Sequence, residues 1–120
     1  MKAKIKQQDL SSEFWTSEQC YITELSNSPD DPEVSIARTR VEPGVTTRWH
    51  RLRGIGERYC ILYGKGRMEV EGLEPKEVYP GDVVLIPAGY LQRITNVGPD
   101  DLVFLAISTP RFTVDVYEEA

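Results

Sequence analysis

The stretch Gly44–Gly64, GVTTRWHRLRGIGERYCILYG, holds the only histidine of the chain, His50, and a glutamate seven residues on, Glu57. Gly54 and Gly56 lie between them, and two strand-like runs flank the pair. Side chains alternate along a strand, so His50 facing inward carries Arg48 and Leu52 with it. Beyond the turn, Glu57 inward carries Tyr59 and Ile61, and sends Cys60 the other way.

The same texture extends outward in both directions. Turn-forming residues cluster at Asn27–Pro32, Glu42–Gly44, Gly64–Gly66, Glu71–Pro75, Tyr79–Asp82, Pro87–Gly89 and Asn96–Asp101. Between them run CYITEL, VSIARTRV, RYCILY, RMEVEG, KEVYP, DVVLIP, QRITNV and LVFLAIS, rich in β-branched and aromatic residues. Many short strands at close spacing imply an all-β sandwich or barrel. YGKGRMEV reads as a hairpin, and DVVLIP as a buried strand ended by Pro87. The one helical expectation is DLSSEFWTSE, with Asp9 or Ser11 as its cap.

The totals set further bounds. The 120 residues suit one domain, and 40% hydrophobic content allows a core. The formal charge, 14 − 19 = −5, argues against a nucleic-acid or anionic-membrane partner. The basic start is not followed by the apolar core of a signal peptide, so a cytoplasmic protein is expected. Cys20 and Cys60 form no CxxC pair and are read as free thiols. The tail from Pro110, with Phe112, Val114, Val116 and Tyr117, is too apolar to hang free. It is expected to pack as an arm on the barrel or on a neighbouring subunit.

Two motifs then align with a family. Gly44, His50, Glu57 and Gly64 resemble the first cupin motif, G-x5-H-x-H-x4-E-x6-G. Gly81, Pro87, Gly89 and Asn96 resemble the second, G-x5-P-x-G-x2-H-x3-N. The two positions that fail are both metal ligands of the family: Leu52 and Gln92 stand where histidines are expected. The resemblance implies a single-domain jelly-roll β-barrel over 1–120, with a core at 33–109, an N-terminal segment 1–32 and a C-terminal arm 110–120. It also implies a homodimer and a divalent metal (Mn, Fe, Ni or Zn) in the barrel.

The site expected from these residues is a pocket lined by Arg48, Leu52, Gln92 and Ile94. His50, Glu57 and Tyr59 are its candidate acid–base groups. Three readings stand. A weak metal could sit on His50, Glu57 and Gln92, since a neutral amide is a poorer ligand than imidazole. A metal-free isomerase or epimerase could use His50 hydrogen-bonded to Glu57 as base, with Arg48 clamping an anionic or sugar-like ligand. Or the trio could satisfy itself inside a binding or storage barrel that does no chemistry.

Overall fold

The computed structural model describes all 120 residues. Eleven strands form two antiparallel sheets. They are β1 (Phe14–Thr16), β2 (Cys20–Ser26), β3 (Ser35–Val41), β4 (His50–Leu52), β5 (Gly56–Tyr63), β6 (Gly66–Val70), β7 (Lys76–Val78), β8 (Val83–Ile86), β9 (Gln92–Asn96), β10 (Leu102–Thr109) and β11 (Tyr117–Glu119). One sheet runs β1-β2-β3-β10-β5-β8 and the other β11-β4-β9-β6-β7. The fold is the all-β jelly roll the motifs imply, and each of the eight strand-like runs contains a strand.

Three local expectations are corrected. DLSSEFWTSE forms no α-helix: a 3-10 turn at Leu10–Ser12, capped by the Asp9 carboxylate, leads into β1. Trp15 and Tyr21 meet edge to face across β1 and β2, so the aromatic pairing there favours a strand. The glycines at 64–66 do not make a hairpin, because β5 and β6 belong to different sheets. They turn the chain between sheets. Gly64 has φ +85°, and a Cβ there would lie 2.6 Å from the Asp101 carbonyl oxygen. Finally, β8 is an edge strand whose Val83 and Leu85 are 56% and 67% exposed, and only Ile86 is buried.

The inner face changes character along the strands. On β10 the inward residues run Leu102, Phe104, Ala106, Ser108; opposite them on β3 stand Val41, Thr39, Ala37, Ser35. On β5, Ile61 faces Phe104, Tyr59 faces Ala106 and Glu57 faces Ser108. One end of the barrel is therefore filled by large apolar groups, with Met68 and Ile94 completing the cluster. Asn96 seals that end: its amide donates to the Val41 and Asp100 carbonyls, and its oxygen accepts from the Gly98 N–H. Toward the other end the side chains shrink to alanine and serine, and space remains.

Both flanks of the chain enclose this space. β2 lies in the larger sheet beside β3. β11 adds to the smaller sheet beside β4, pairing Tyr117 with Leu52 and Glu119 with His50. The C-terminal arm thus packs on its own barrel.

Candidate functional site

The space at the open end is a cavity of about 330 Å³, within the range of small-ligand sites. His50, Leu52, Glu57 and Tyr59 line it. Arg48, Gln92 and Ile94 do not.

Each departure has a local cause. Arg48 is exposed and donates to the Ser17 carbonyl. Strand alternation does not reach it, because β4 begins only at His50. Thr47 turns inward instead, its hydroxyl accepting from the Ile94 N–H at 3.0 Å. Ile94 is fully buried in the apolar cluster at the closed end. Gln92 is 1% exposed and lies behind the cavity wall, reaching it only through Glu57.

His50 is 2% exposed, and its Nδ1 lies 2.7 Å from the Arg48 carbonyl oxygen. A carbonyl can only accept, so Nδ1 carries the proton and Nε2 presents a bare lone pair. Burial pushes the His50 pKa below its usual value, opposed in part by that bond. The ring is therefore neutral at neutral pH. Tyr117 lies tilted over it, with centroids 5.1 Å apart.

No hydrogen bond joins His50 to Glu57, contrary to the expected pair. Glu57 instead accepts from the Gln92 amide at 2.5 Å. Burial raises the Glu57 carboxyl to about 7, and that hydrogen bond holds it from going higher. The carboxylate nearest the imidazole is Glu18, with Oε1 3.6 Å from Nε2. Burial and the nearby Glu119 charge raise Glu18 to about 7 as well.

Glu18 is held there by a turn. Its N–H donates to the Thr16 hydroxyl, Gln19 takes φ +74°, and the Glu18 carbonyl accepts from the Arg48 N–H. Nothing in the residue pattern marks Glu18, because it sits between strands. Cys20 does follow from alternation along β2, whose Cys20, Ile22 and Glu24 all line the cavity. Burial and then Glu18 push the Cys20 thiol up to about 12, so it stays protonated and is no nucleophile.

Tyr59 stacks on Phe104 at 4.2 Å and is 5% exposed. Its side chain lines the cavity. Burial, reinforced by the Glu57 charge, raises its pKa well above the usual phenol value. The hydroxyl therefore stays protonated and is able to donate a hydrogen bond.

The residues do not fit a tightly held transition metal. No three His, Cys, Asp or Glu side chains converge as a ligand set. In the expected trio of His50, Glu57 and Gln92, the amide turns its nitrogen, a donor, toward Glu57. Its oxygen, the atom that could bind a cation, is buried without a partner. Leu52 supplies an apolar wall where the family has an imidazole.

The fold agrees with what the chain is similar to. A family model described as a cupin domain matches residues 37–108. The chain is 33% identical over 75 residues to the (R)-mandelonitrile lyase of Granulicella tundricola, spanning 62% of this chain and 56% of that protein. It is 35% identical over 72 residues to the oxalate-binding protein of Thermotoga maritima, spanning 60% and 59%. The match thus covers little more than half of each relative's length. The structure of KdgF from Halomonas sp. superposes with a TM-score of 0.76 at 14% identity, covering 91% of this chain and 96% of that one, a likeness of fold. With the family model spanning more than half of its length and both motif skeletons in place on a jelly roll, the chain belongs to the cupin family.

Proposed function

We propose that the barrel binds a small organic molecule and that His50 takes a proton from it. The observation that carries this reading is the bare Nε2 of a neutral, buried imidazole facing a cavity. The Arg48 carbonyl fixes the tautomer that a general base needs. Tyr59 supports an oxygen of the bound molecule by donating a hydrogen bond from its hydroxyl, and Glu18 receives or returns the proton beside Nε2. Lyase and isomerase chemistry both begin with such a step, and the likeness to a mandelonitrile lyase supports the former. No part of the scheme needs a metal.

The single histidine makes the test clean, since its ring gives one set of imidazole signals. A small-molecule library is screened by thermal shift, and binders are followed by His50 ring chemical shifts. Binders are expected to move those shifts, and His50→Gln is expected to lose turnover while keeping the fold. Ligand affinity and turnover unchanged in His50→Ala would end the reading.

A homodimer is also proposed, on the resemblance and on the exposed apolar residues Val83, Leu85 and Tyr63. Light scattering of the purified chain tests it.

A further inference from the structure

The walls of the cavity carry charge of one sign. Glu18, Glu24 and Glu57 line it, and no lysine or arginine does. The nearby guanidinium groups are engaged elsewhere. Arg38 and Arg40 pair with Glu13, Arg53 with Glu118 and Arg93 with Glu69, Arg48 bonds the Ser17 carbonyl, and Arg111, whose charge reaches Glu24, donates to the Asn27 side-chain oxygen. An anionic ligand would meet no countercharge among the residues that line the cavity.

The hydrogen-bonding sense points the same way. His50 Nε2 lies 3.6 Å from Glu18 Oε1 and Glu57 lines the same cavity; the bare Nε2 and both carboxylates, when ionised, only accept. A head group that meets all three must bring several N–H or O–H donors. Tyr59, 5% exposed, also lines the cavity, and its hydroxyl can donate to a bound molecule.

The remaining wall is aromatic and aliphatic. Tyr59 and Phe104 are stacked, Tyr117 covers His50, and Phe14 and Phe112 also line the cavity. Carboxylates beside aromatic faces are what an organic cation selects, by ion pairing and by cation–π attraction. The small residues Ala37 and Ala106 leave room for a flat or branched apolar body.

We infer that the cavity takes a small protonated amine with an aromatic or branched aliphatic body, its ammonium group seated among Glu18, Glu57 and His50. This names the ligand class of the site and rests on the reading that the cavity is a small-molecule site. It also replaces the anionic ligand expected from Arg48, which does not reach the cavity.

Two body shapes, each carrying three head groups, test it on the full chain by calorimetry and thermal shift. Benzylamine and cyclohexylmethylamine are compared with the corresponding alcohols and carboxylates. The amines are expected to bind at least about tenfold tighter than the alcohols, and the carboxylates weakest. Glu18→Gln is expected to shrink the amine-to-alcohol ratio about threefold or more while the alcohols keep their affinity. Glu57→Gln provides a second variant if the first does not fold. Carboxylates binding as tightly as amines would overturn the inference and leave the small-molecule reading standing. No binding by any probe at millimolar concentration would remove both.

Discussion

The closed and open ends of the barrel share strands β3, β5 and β10 yet differ in what those strands turn inward. At the closed end Leu102, Phe104, Val41 and Ile61 interlock, and polar groups are limited to Asn96, whose amide bonds are all made. At the open end Ser108, Ser35, Ala106 and Ala37 leave the space that Glu57, His50 and Glu18 face. A few residues along one strand take the chain from a region that stabilises the fold to one that carries unmet polar groups. Such groups cost stability, and a ligand can repay that cost by pairing them.

The largest expected effect sets the two ends against each other. Phe104→Ala empties a fully buried position stacked on Tyr59 and is expected to cost about 3–5 kcal/mol in urea unfolding. Phe112→Ala, at the rim, is expected to cost about 1 kcal/mol or less. Equal costs would mean that the open end is as tightly packed as the closed one.

The next effect is a pH dependence that belongs to the open end alone. The Glu57 carboxyl sits at about 7 in the folded chain against 4.5 without the fold, so folding favours its protonated form. Its contribution is full below about pH 4.5 and is lost as pH rises through 7; Glu18 acts in the same direction. His50 acts oppositely: its lowered pKa makes stability fall as pH drops below 6.5. Stability should therefore be highest near pH 5, decline up to about pH 7 and level off above it. Glu57→Gln, which can still accept from Gln92, should flatten the decline between pH 5 and 7 and stabilise the chain at pH 8 by on the order of 2 kcal/mol. Denaturant melts from pH 5 to 8 would show it, and an unchanged slope in the variant would refute it.

The closed end was largely legible in the sequence, and the open end only in part. Spaced glycines, Pro87 and Asn96 mark backbone positions whose geometry few other residues satisfy, so they announce the barrel. Alternation then places Glu57, Tyr59 and Ile61 correctly, because β5 is long and paired on both sides. It fails at Arg48, where pairing stops and Thr47 is pulled inward by Ile94. It cannot find Glu18 at all, since the position of a turn residue depends on a long-range bond to the Arg48 backbone. The polar partners of His50 and Glu57 were likewise hidden: each is fixed by which neighbour comes closest in space, and sequence distance says nothing of that.

A smaller effect separates stability from binding. Ala106→Leu places a larger side chain into open space beside Tyr59, so it should change stability by less than about 1 kcal/mol. The same substitution should abolish ligand-induced thermal shifts, because the added volume occupies the site. Ligand binding left intact in Ala106→Leu would place the site elsewhere.

The smallest expected effect is that of added divalent metal, and it tests the open end most directly. A ligand present at a hundred times its Kd stabilises a native state by about 2.7 kcal/mol, which moves the Tm of a domain this size by roughly ten degrees. Mn²⁺, Fe²⁺, Ni²⁺ and Zn²⁺ are expected to leave the wild-type Tm within about 1 °C at low millimolar concentration, and metal analysis to find no tight equivalent. The pair Leu52→His with Gln92→His places imidazoles at the two positions where the family pattern carries them, next to His50 and Glu57. That variant should take up about one metal per chain, since imidazole is a far better ligand than an amide or an alkyl group. One tight equivalent in the wild type would instead mean that Gln92 turns its oxygen forward and gives up Glu57. The carboxylate would then be free to bind, and the open end would be a metal centre with Glu18 as its nearest additional donor.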